Sequence, residues 1–383
     1  MKQQQMCCDG LLTYPCEIYP AFAQNNVPIV FTSSDYYLPF CAVAIESLLE
    51  HADANRNYDI LILNMGLSEI KRAYLCEMLC NKSNVSLRFL DLSDLFEQKN
   101  FFVYAHVSKE TYFRLCLPFL FTRYDTMLFL DSDIIVEGDI SSLIEIKLDR
   151  FYLAAVPDIV MAGFCNGYSA EFTDYVKNTL KIKDPFSYFN AGVIVFNCHE
   201  MRKDFSMNEL MEFALSHDFL LFDQDILNIK CEGKVKLLGL EWNFSPDCKI
   251  RQGAQSVQKM DYILCAPEKM RAAYEDARSR FMIIHYTDRS KPWFDPFEDL
   301  ATNFWSVAQR TPFYETILFR LYEKQAEDAL NALPATATTV QYYPQGKLFK
   351  RTIKRFVRIF LPYGTKRRTF VKKYYFKLRG WPV

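Results

Sequence analysis

Short apolar runs separated by amphipathic stretches recur along the first three hundred residues. "VPIVFT" (27–32), "YDILILNMG" (58–66) and "VSLRFLDL" (85–92) are too short for helices and rich in β-strand formers, which predicts buried strands. Between them, residues 40–49 and "SEIKRAYLCEML" (68–79) carry helical spacing. Residues 106–121 read as a helix leading into the strand "TMLFL" (126–130). "FYLAAVPD" (151–158), "AGVIVFN" (191–197) and "FMIIHY" (281–286) supply further strands, and helical patterns cover 199–216, 222–230 and 295–331. Strand alternating with helix implies parallel pairing, so the fold class is α/β, a mostly parallel Rossmann-like sheet flanked by helices. Residues 1–27 read as a loose N-terminal extension, 28–331 as one domain, 332–346 as an Ala-, Thr- and Pro-rich linker, and 347–383 as a tail. There is no internal repeat.

Half of the residues are hydrophobic, with 33 Phe and 23 Tyr, which predicts a packed globular protein. No uncharged apolar run approaches the roughly 18 residues of a membrane span. The start, "MKQQQMCCDG", lacks the basic-then-apolar order of a signal peptide. The twelve cysteines are scattered without framework spacing, which favours reduced thiols in a cytosolic protein. The net charge of −1 hides an asymmetry: residues 347–383 hold 13 Lys or Arg and no acid, leaving 32 basic against 46 acidic side chains in 1–346. Such a body repels nucleic acid and anionic lipid, while the tail attracts them. On a helical wheel Phe349, Ile353, Phe356, Val357 and Phe360 share one face, opposite Lys350, Arg351, Lys354, Arg355 and Arg358. That is the pattern of an interfacial helix, broken by Pro362 and Gly364.

Candidate chemistry collects where strands end. In open α/β sheets ligands sit beyond the carboxyl ends of the strands. Thr32 to Tyr36, Asp131 to Asp133, Asp158, and His285 to Lys291 each follow an apolar strand. Asp131 and Asp133 lie two apart on an extended chain and therefore point the same way, so both could face one ion. Taken alone, "DSD" is equally a turn.

Six stretches occur in one order: "IVFTSSDYY" (29–37), "HVSKETYFRL" (106–115), "LFLDSDIIV" (128–136), "YFNAGVIVFN" (188–197), "FDQDILN" (222–228) and "IIHYTDRSKPW" (283–293). Together they resemble glycosyltransferase family 8, the group of bacterial lipooligosaccharide α-galactosyltransferases, lipopolysaccharide hexosyltransferases and glycogenin. The resemblance implies a GT-A fold and retaining transfer of galactose or glucose from a UDP-sugar to a glycan or lipid-linked saccharide, in lipopolysaccharide or cell-surface polysaccharide synthesis. It makes Asp131, Asp133 and His285 ligands of a divalent cation, with Ser132 between the two acids in the donor site. An imidazole beside two carboxylates leans toward Mn²⁺ over Mg²⁺. Lys291 would bind the diphosphate, His106 and Arg114 the donor side, and Thr32, Ser34, Asp35 and Tyr36 the base and ribose. Two departures stand out: Asp288 where the family usually has Gly, and an acid at 35 where relatives carry one near 34. Asn190 would reach a sugar hydroxyl or the leaving oxygen, with Ala191 and Gly192 leaving room for the hexose. Asp223 and Asp158 would hold sugar hydroxyls. Gln224 occupies the position of the family's candidate nucleophile, yet an amide is a poor nucleophile, so a front-face mechanism is favoured in which its carbonyl oxygen stabilises the developing positive charge.

Other readings fare worse. A nucleotidyltransferase would show a glycine-rich basic loop after the first strand, and "FTSSDYYLPF" has neither feature. A non-catalytic sugar-binding protein would not need Asp131, Asp133, His285 and Lys291 together. A glycogenin-like self-glucosylating protein fits the motifs, but the cationic tail favours a lipid-linked acceptor at an anionic membrane surface. The expectation is a cytoplasmic enzyme held peripherally on the inner face of the membrane, with no nucleic-acid partner.

Overall fold

The computed structural model describes residues 11–103, 108–252 and 255–331. His106, the linker and the basic tail lie outside the described residues. The chain forms two units, 1–324 and 325–383, and the described strands all belong to the first.

The strands, in chain order, are β1 (Leu11–Thr13), β2 (Asn26–Thr32), β3 (Asn57–Asn64), β4 (Val85–Asp91), β5 (Thr126–Leu130), β6 (Ile134–Val136), β7 (Leu153–Pro157), β8 (Phe189–Asn197), β9 (Val235–Leu237), β10 (Lys249–Gln252), β11 (Gln255–Gln258) and β12 (Ile283–His285). Eight build one sheet in the order β1-β4-β3-β2-β5-β8-β7-β9. All neighbours pair in parallel except β8, which runs antiparallel to both β5 and β7. The expected α/β class is borne out, and the uniform β-rich runs have a simple cause. Successive side chains face opposite sides of the sheet, and both sides are covered. Val30, Leu61, Leu63 and Phe129 join one core, while Ile29, Phe31, Ile60 and Leu128 join the other.

Three expectations need correction. Residues 11–13 are not loose: β1 adds in register to β4, from Leu11 opposite Phe89 to Thr13 opposite Asp91. Residues 106–121 do not make one helix: a 3₁₀ turn over Lys109–Tyr112 precedes a helix over Phe113–Leu120. Helical residues 199–216 divide into Cys198–Asp204 and Met207–Leu215, where the Ser206 hydroxyl accepts from Glu209 N and caps the second.

A buried ion pair ties the N-terminal segment to the sheet. Asp59, wholly enclosed on β3, accepts from Arg88 at 2.6 Å, from the Tyr124 hydroxyl at 2.8 Å and from the backbone N of Ala21 at 3.0 Å. Asp59→Ala would leave Arg88 without its counter-charge in a closed space. The expected loss is about 3–5 kcal/mol in denaturant unfolding, whereas a loss below about 1 kcal/mol would show the pair to be dispensable.

Candidate active site

β5 ends at Leu130, and the chain turns through Asp131, Ser132 and Asp133 before β6. This turn is pinned from three sides. The Asp131 amide donates to the Gly192 carbonyl at 2.8 Å, the Ser132 hydroxyl donates to the Thr32 carbonyl at 2.7 Å, and the Asp133 carbonyl accepts from Tyr286 N at 3.0 Å. β12 pairs antiparallel with β6, placing His285 opposite Ile134 and hence beside both acids. His285 Nε2 lies 3.2 Å from Asp133 Oδ1 and 3.7 Å from Asp131 Oδ2. Lys291 Nζ donates to Asp133 Oδ2 at 2.6 Å. Trp293, buried and stacked on Phe40 at 3.9 Å, anchors the segment carrying Lys291. Burial alone would raise the Asp133 carboxyl, but the Lys291 ammonium, joined by the His285 ring when that ring is protonated, holds it far below the ordinary carboxylate range.

On the opposite wall Arg114 bridges two acids. Its Nη2 donates to Asp131 Oδ1 at 2.8 Å, and its Nε lies 2.8 Å from Asp223 Oδ2. The Nε–H itself donates to the Thr111 carbonyl, so the Asp223 contact is an ion pair and not an aligned hydrogen bond. Asp223 also accepts from the Thr111 hydroxyl. Burial pushes the Asp223 carboxyl up to about 6, against the pull of Arg114.

Between β7 and β8 the register slips: Ala155 faces Ile194, but Val156 faces Asn190. Residues 191–193 have no partner on β7, and the backbone they free holds the site together. Ala191 N donates to Gln224 Oε1 at 3.0 Å, the Ala191 carbonyl accepts from Arg114, Gly192 N donates to Asn190 Oδ1 at 2.9 Å, and Gly192 O takes the Asp131 amide. Gln224 Nε2 donates to Asp158 Oδ2 at 3.2 Å, and Asp158 Oδ1 caps the helix Ile159–Gly163. Gly192 makes room for His285: a Cβ there would lie 2.2 Å from His285 Cε1 and 2.9 Å from Asp131 Oδ2.

A cleft of about 410 Å³ opens over these groups. Of the expected site residues, Thr32, Ser34, Arg114, Asp131, Ser132, Asp133, Asn190, Ala191, Asp223, Gln224, His285 and Lys291 line it. Asp158 stands behind Gln224. Asp35 faces the Ser68 amide at 2.8 Å and Lys71, and Tyr36 lies under the Arg320 guanidinium, so neither lines the cleft. Residues not singled out from the sequence include Tyr37, Thr111 and Thr287 on the wall and Asn243 beside His285, while Asp288, noted there as a departure, also lines the wall. Asp288 has φ +69°, the left-handed region that favours glycine. Its carboxylate turns to Lys259 at 3.0 Å, a fully buried ammonium that also reaches the Ser245 and Thr287 hydroxyls at 3.0 and 2.8 Å.

Among the described residues Asp131, Asp133 and His285 form a group that could hold a metal ion, with one ligand atom from each within 4.8 Å of the others. Two hard oxygens and an imidazole, with the missing Cβ of Gly192 leaving the ring its place, fit a divalent cation.

The sequence model of glycosyl transferase family 8 matches residues 28–296. Over 217 residues the chain is 23% identical to the lipopolysaccharide 1,2-glucosyltransferase of Escherichia coli K12, covering 55% of this chain and 54% of that one. The solved structure of the apo bifunctional glycosyltransferase WbbM superposes with a TM-score of 0.70 at 32% identity, over 80% of this chain and 54% of that one. The galactosyltransferase LgtC, solved with donor and acceptor sugar analogs, superposes with a TM-score of 0.59 at 24% identity, over 75% of this chain and 96% of that one. The chain thus spans about half the length of the first two.

Asp223 offers a pH test. Its folded pKa is about 6, above the ordinary value of 3.8, so the folded state holds the proton more tightly. The stability this contributes is full below about pH 4 and is lost as pH rises through about 6, by up to about 3 kcal/mol. Asp223→Asn lacks this titration, so its melting temperature should rise relative to wild type between pH 4 and 7. A difference that narrows or stays flat would contradict the raised value.

Proposed function

The chain belongs to glycosyltransferase family 8, and on that premise we propose that it moves a hexose, galactose or glucose, from a UDP-sugar to a glycan or lipid-linked saccharide, with retention at the anomeric carbon and help from a divalent cation. One observation carries this reading: Asp131, Asp133, His285 and Lys291 converge in the cleft beyond the carboxyl ends of β2 and β5. Asp131, Asp133 and His285 would hold the cation, Mn²⁺ being favoured by the imidazole. When bound, the cation supplies Lewis-acid neutralisation of the leaving diphosphate. Lys291, held beside the cation site by Asp133 and the Tyr286 carbonyl, would add positive charge for the same phosphates. Thr32 and Ser34 line the cleft after β2, where base and ribose would lie.

A front-face course is favoured by the fixed roles of the nearby acids. Gln224 cannot act as a carboxylate nucleophile, and its amide is oriented from both ends, by Ala191 N and by Asp158. Arg114 and Thr111 hold Asp223, so this acid is placed to bind sugar hydroxyls and not to attack. The Ala191 amide occupies one lone pair of the Gln224 carbonyl oxygen; the second can face developing positive charge at the anomeric carbon. Asn190, whose oxygen accepts from Gly192 N, sits at the same wall. The acceptor hydroxyl would attack from the face the phosphate leaves and pass its proton to the departing phosphate oxygen.

The tail extends the proposal to location. Among the described residues no helix is long and apolar enough to cross a membrane. The 13 basic residues and the apolar stripe of 347–383 support peripheral attachment to an anionic membrane on its cytoplasmic face, where a lipid-linked acceptor in lipopolysaccharide or surface-polysaccharide synthesis would be met.

UDP release from a panel of UDP-sugars, with and without Mn²⁺, tests the chemistry. Asp131→Asn and Asp133→Asn should each lower metal-dependent turnover by several kcal/mol of transition-state stabilisation, at least about 100-fold, with the fold intact. Full wild-type turnover under thorough chelation would end the metal-dependent reading. Deleting 347–383 should preserve donor turnover while abolishing salt-sensitive sedimentation with anionic vesicles. Equal pelleting of the truncated chain would show that the anchor lies elsewhere.

A further inference from the structure

The hydrogen-bond polarity beside His285 can be assigned from one backbone amide. Gly192 N–H can only donate, and it donates to Asn190 Oδ1 at 2.9 Å. The oxygen of the Asn190 amide therefore faces Gly192, leaving its Nδ2 toward Asp158 Oδ2 at 3.4 Å. Asn243 lies 2.9 Å from that same Asn190 oxygen, so the Asn243 atom there must be the donor Nδ2. Its Oδ1 then faces His285 Nδ1 at 2.8 Å, and an amide oxygen can only accept. Nδ1 must carry the imidazole proton. In the neutral ring Nε2 then keeps its lone pair, directed at the space it shares with Asp131 and Asp133, where a cation would take the place of a second proton.

This tautomer is not the one the acids alone would choose. Two carboxylates facing Nε2 favour a proton on that nitrogen, where it would donate to Asp133 and block coordination. Asn243 opposes them with a buried acceptor on the other side of the ring, and both residues are enclosed. The backbone keeps that acceptor in place: His285 N donates to the Phe244 carbonyl and Phe244 N to the Ile283 carbonyl, each at 2.8 Å. The short turn Leu240–Asn243 is thereby clipped to the strand that carries His285.

We propose that Asn243 is a positioning residue for the cation site. Its oxygen sets the His285 tautomer and ring orientation for coordination through Nε2, and its nitrogen fixes the amide of Asn190 on the donor-facing wall. The inference rests on the metal-dependent reading above and adds to it a residue that touches neither cation nor sugar. Groups that orient a ligating histidine through its second nitrogen commonly matter about 10- to 100-fold in metal affinity.

The test uses the full chain with Mn²⁺ as the probe, titrated by electron paramagnetic resonance with UDP present, alongside turnover of the preferred UDP-sugar. Asn243→Leu keeps the volume and removes both hydrogen bonds; it should lose about 10- to 100-fold in Mn²⁺ affinity. Asn243→Asp still accepts from Nδ1–H but cannot donate to Asn190. It should hold Mn²⁺ within about threefold of wild type yet turn over about tenfold more slowly, a split that loss of structure alone would not produce. Wild-type affinity in Asn243→Leu, or equal loss in both variants, overturns the proposal. The Asp variant decides alone if the Leu variant does not fold: it must keep affinity and lose turnover. Should the wild type bind no Mn²⁺, or bind it unchanged after Asp131→Asn, the metal-site reading itself falls and takes this inference with it.

Discussion

Two carboxylates two positions apart, at the exit of a buried strand, bring like charge into a partly enclosed cleft. The rest of the site answers that constraint. Asp131 is met by Arg114 and Asp133 by Lys291, while His285 Nε2 stands between the two acids as a place for a proton or a cation. These partners come from segments 114, 285 and 291, so the repulsion is relieved only once the chain has closed around the turn. A divalent cation would complete the same balance, because both carboxylates keep an oxygen toward His285 Nε2.

The reversed strand makes this convergence possible. A fully parallel sheet would send the start of β8 to the far end, away from the carboxyl termini of β5 and β7. Running antiparallel, β8 begins where those strands end, and its register slip against β7 frees 191–193 to hold Gln224, Arg114 and Asp131 by backbone groups alone. Side-chain identity at 191 and 192 therefore matters chiefly through size. Gly192 was expected to leave space for a hexose, but the space is filled by an imidazole.

Much of this was legible in the residues. Strands β2 to β5 are buried on both faces, so their apolar runs are unambiguous, and the acids, His285 and Lys291 stand where such runs stop. Direction is less visible, since a two-residue period is the same for parallel and antiparallel strands, and nothing in "AGVIVFN" marks β8 as reversed. Asn243 lay hidden for a different reason. "LEWN" folds as a 3₁₀ turn with no apolar period, and its meaning comes from a bridge to Ile284 some forty residues on. Asp35 shows the converse: a polar residue after a strand end, it turns to cap its neighbours at Ser68 and Lys71. Residues 11–13 are too few to show any period, and only their register against β4 makes them a strand.

Asp288 and Lys259 depend on each other unequally. The acid is about one-third exposed and can be solvated by itself, at the expense of a left-handed backbone. The ammonium is enclosed, with two hydroxyls as its other partners, and alone it would be a charge sealed from water. Replacing the lysine would therefore leave an acid that water still reaches, whereas replacing the acid would leave an enclosed ammonium with only neutral partners. Substitutions in this corner of the cleft are thus unequal in cost: one at 288 strands a buried charge, and one at 259 does not.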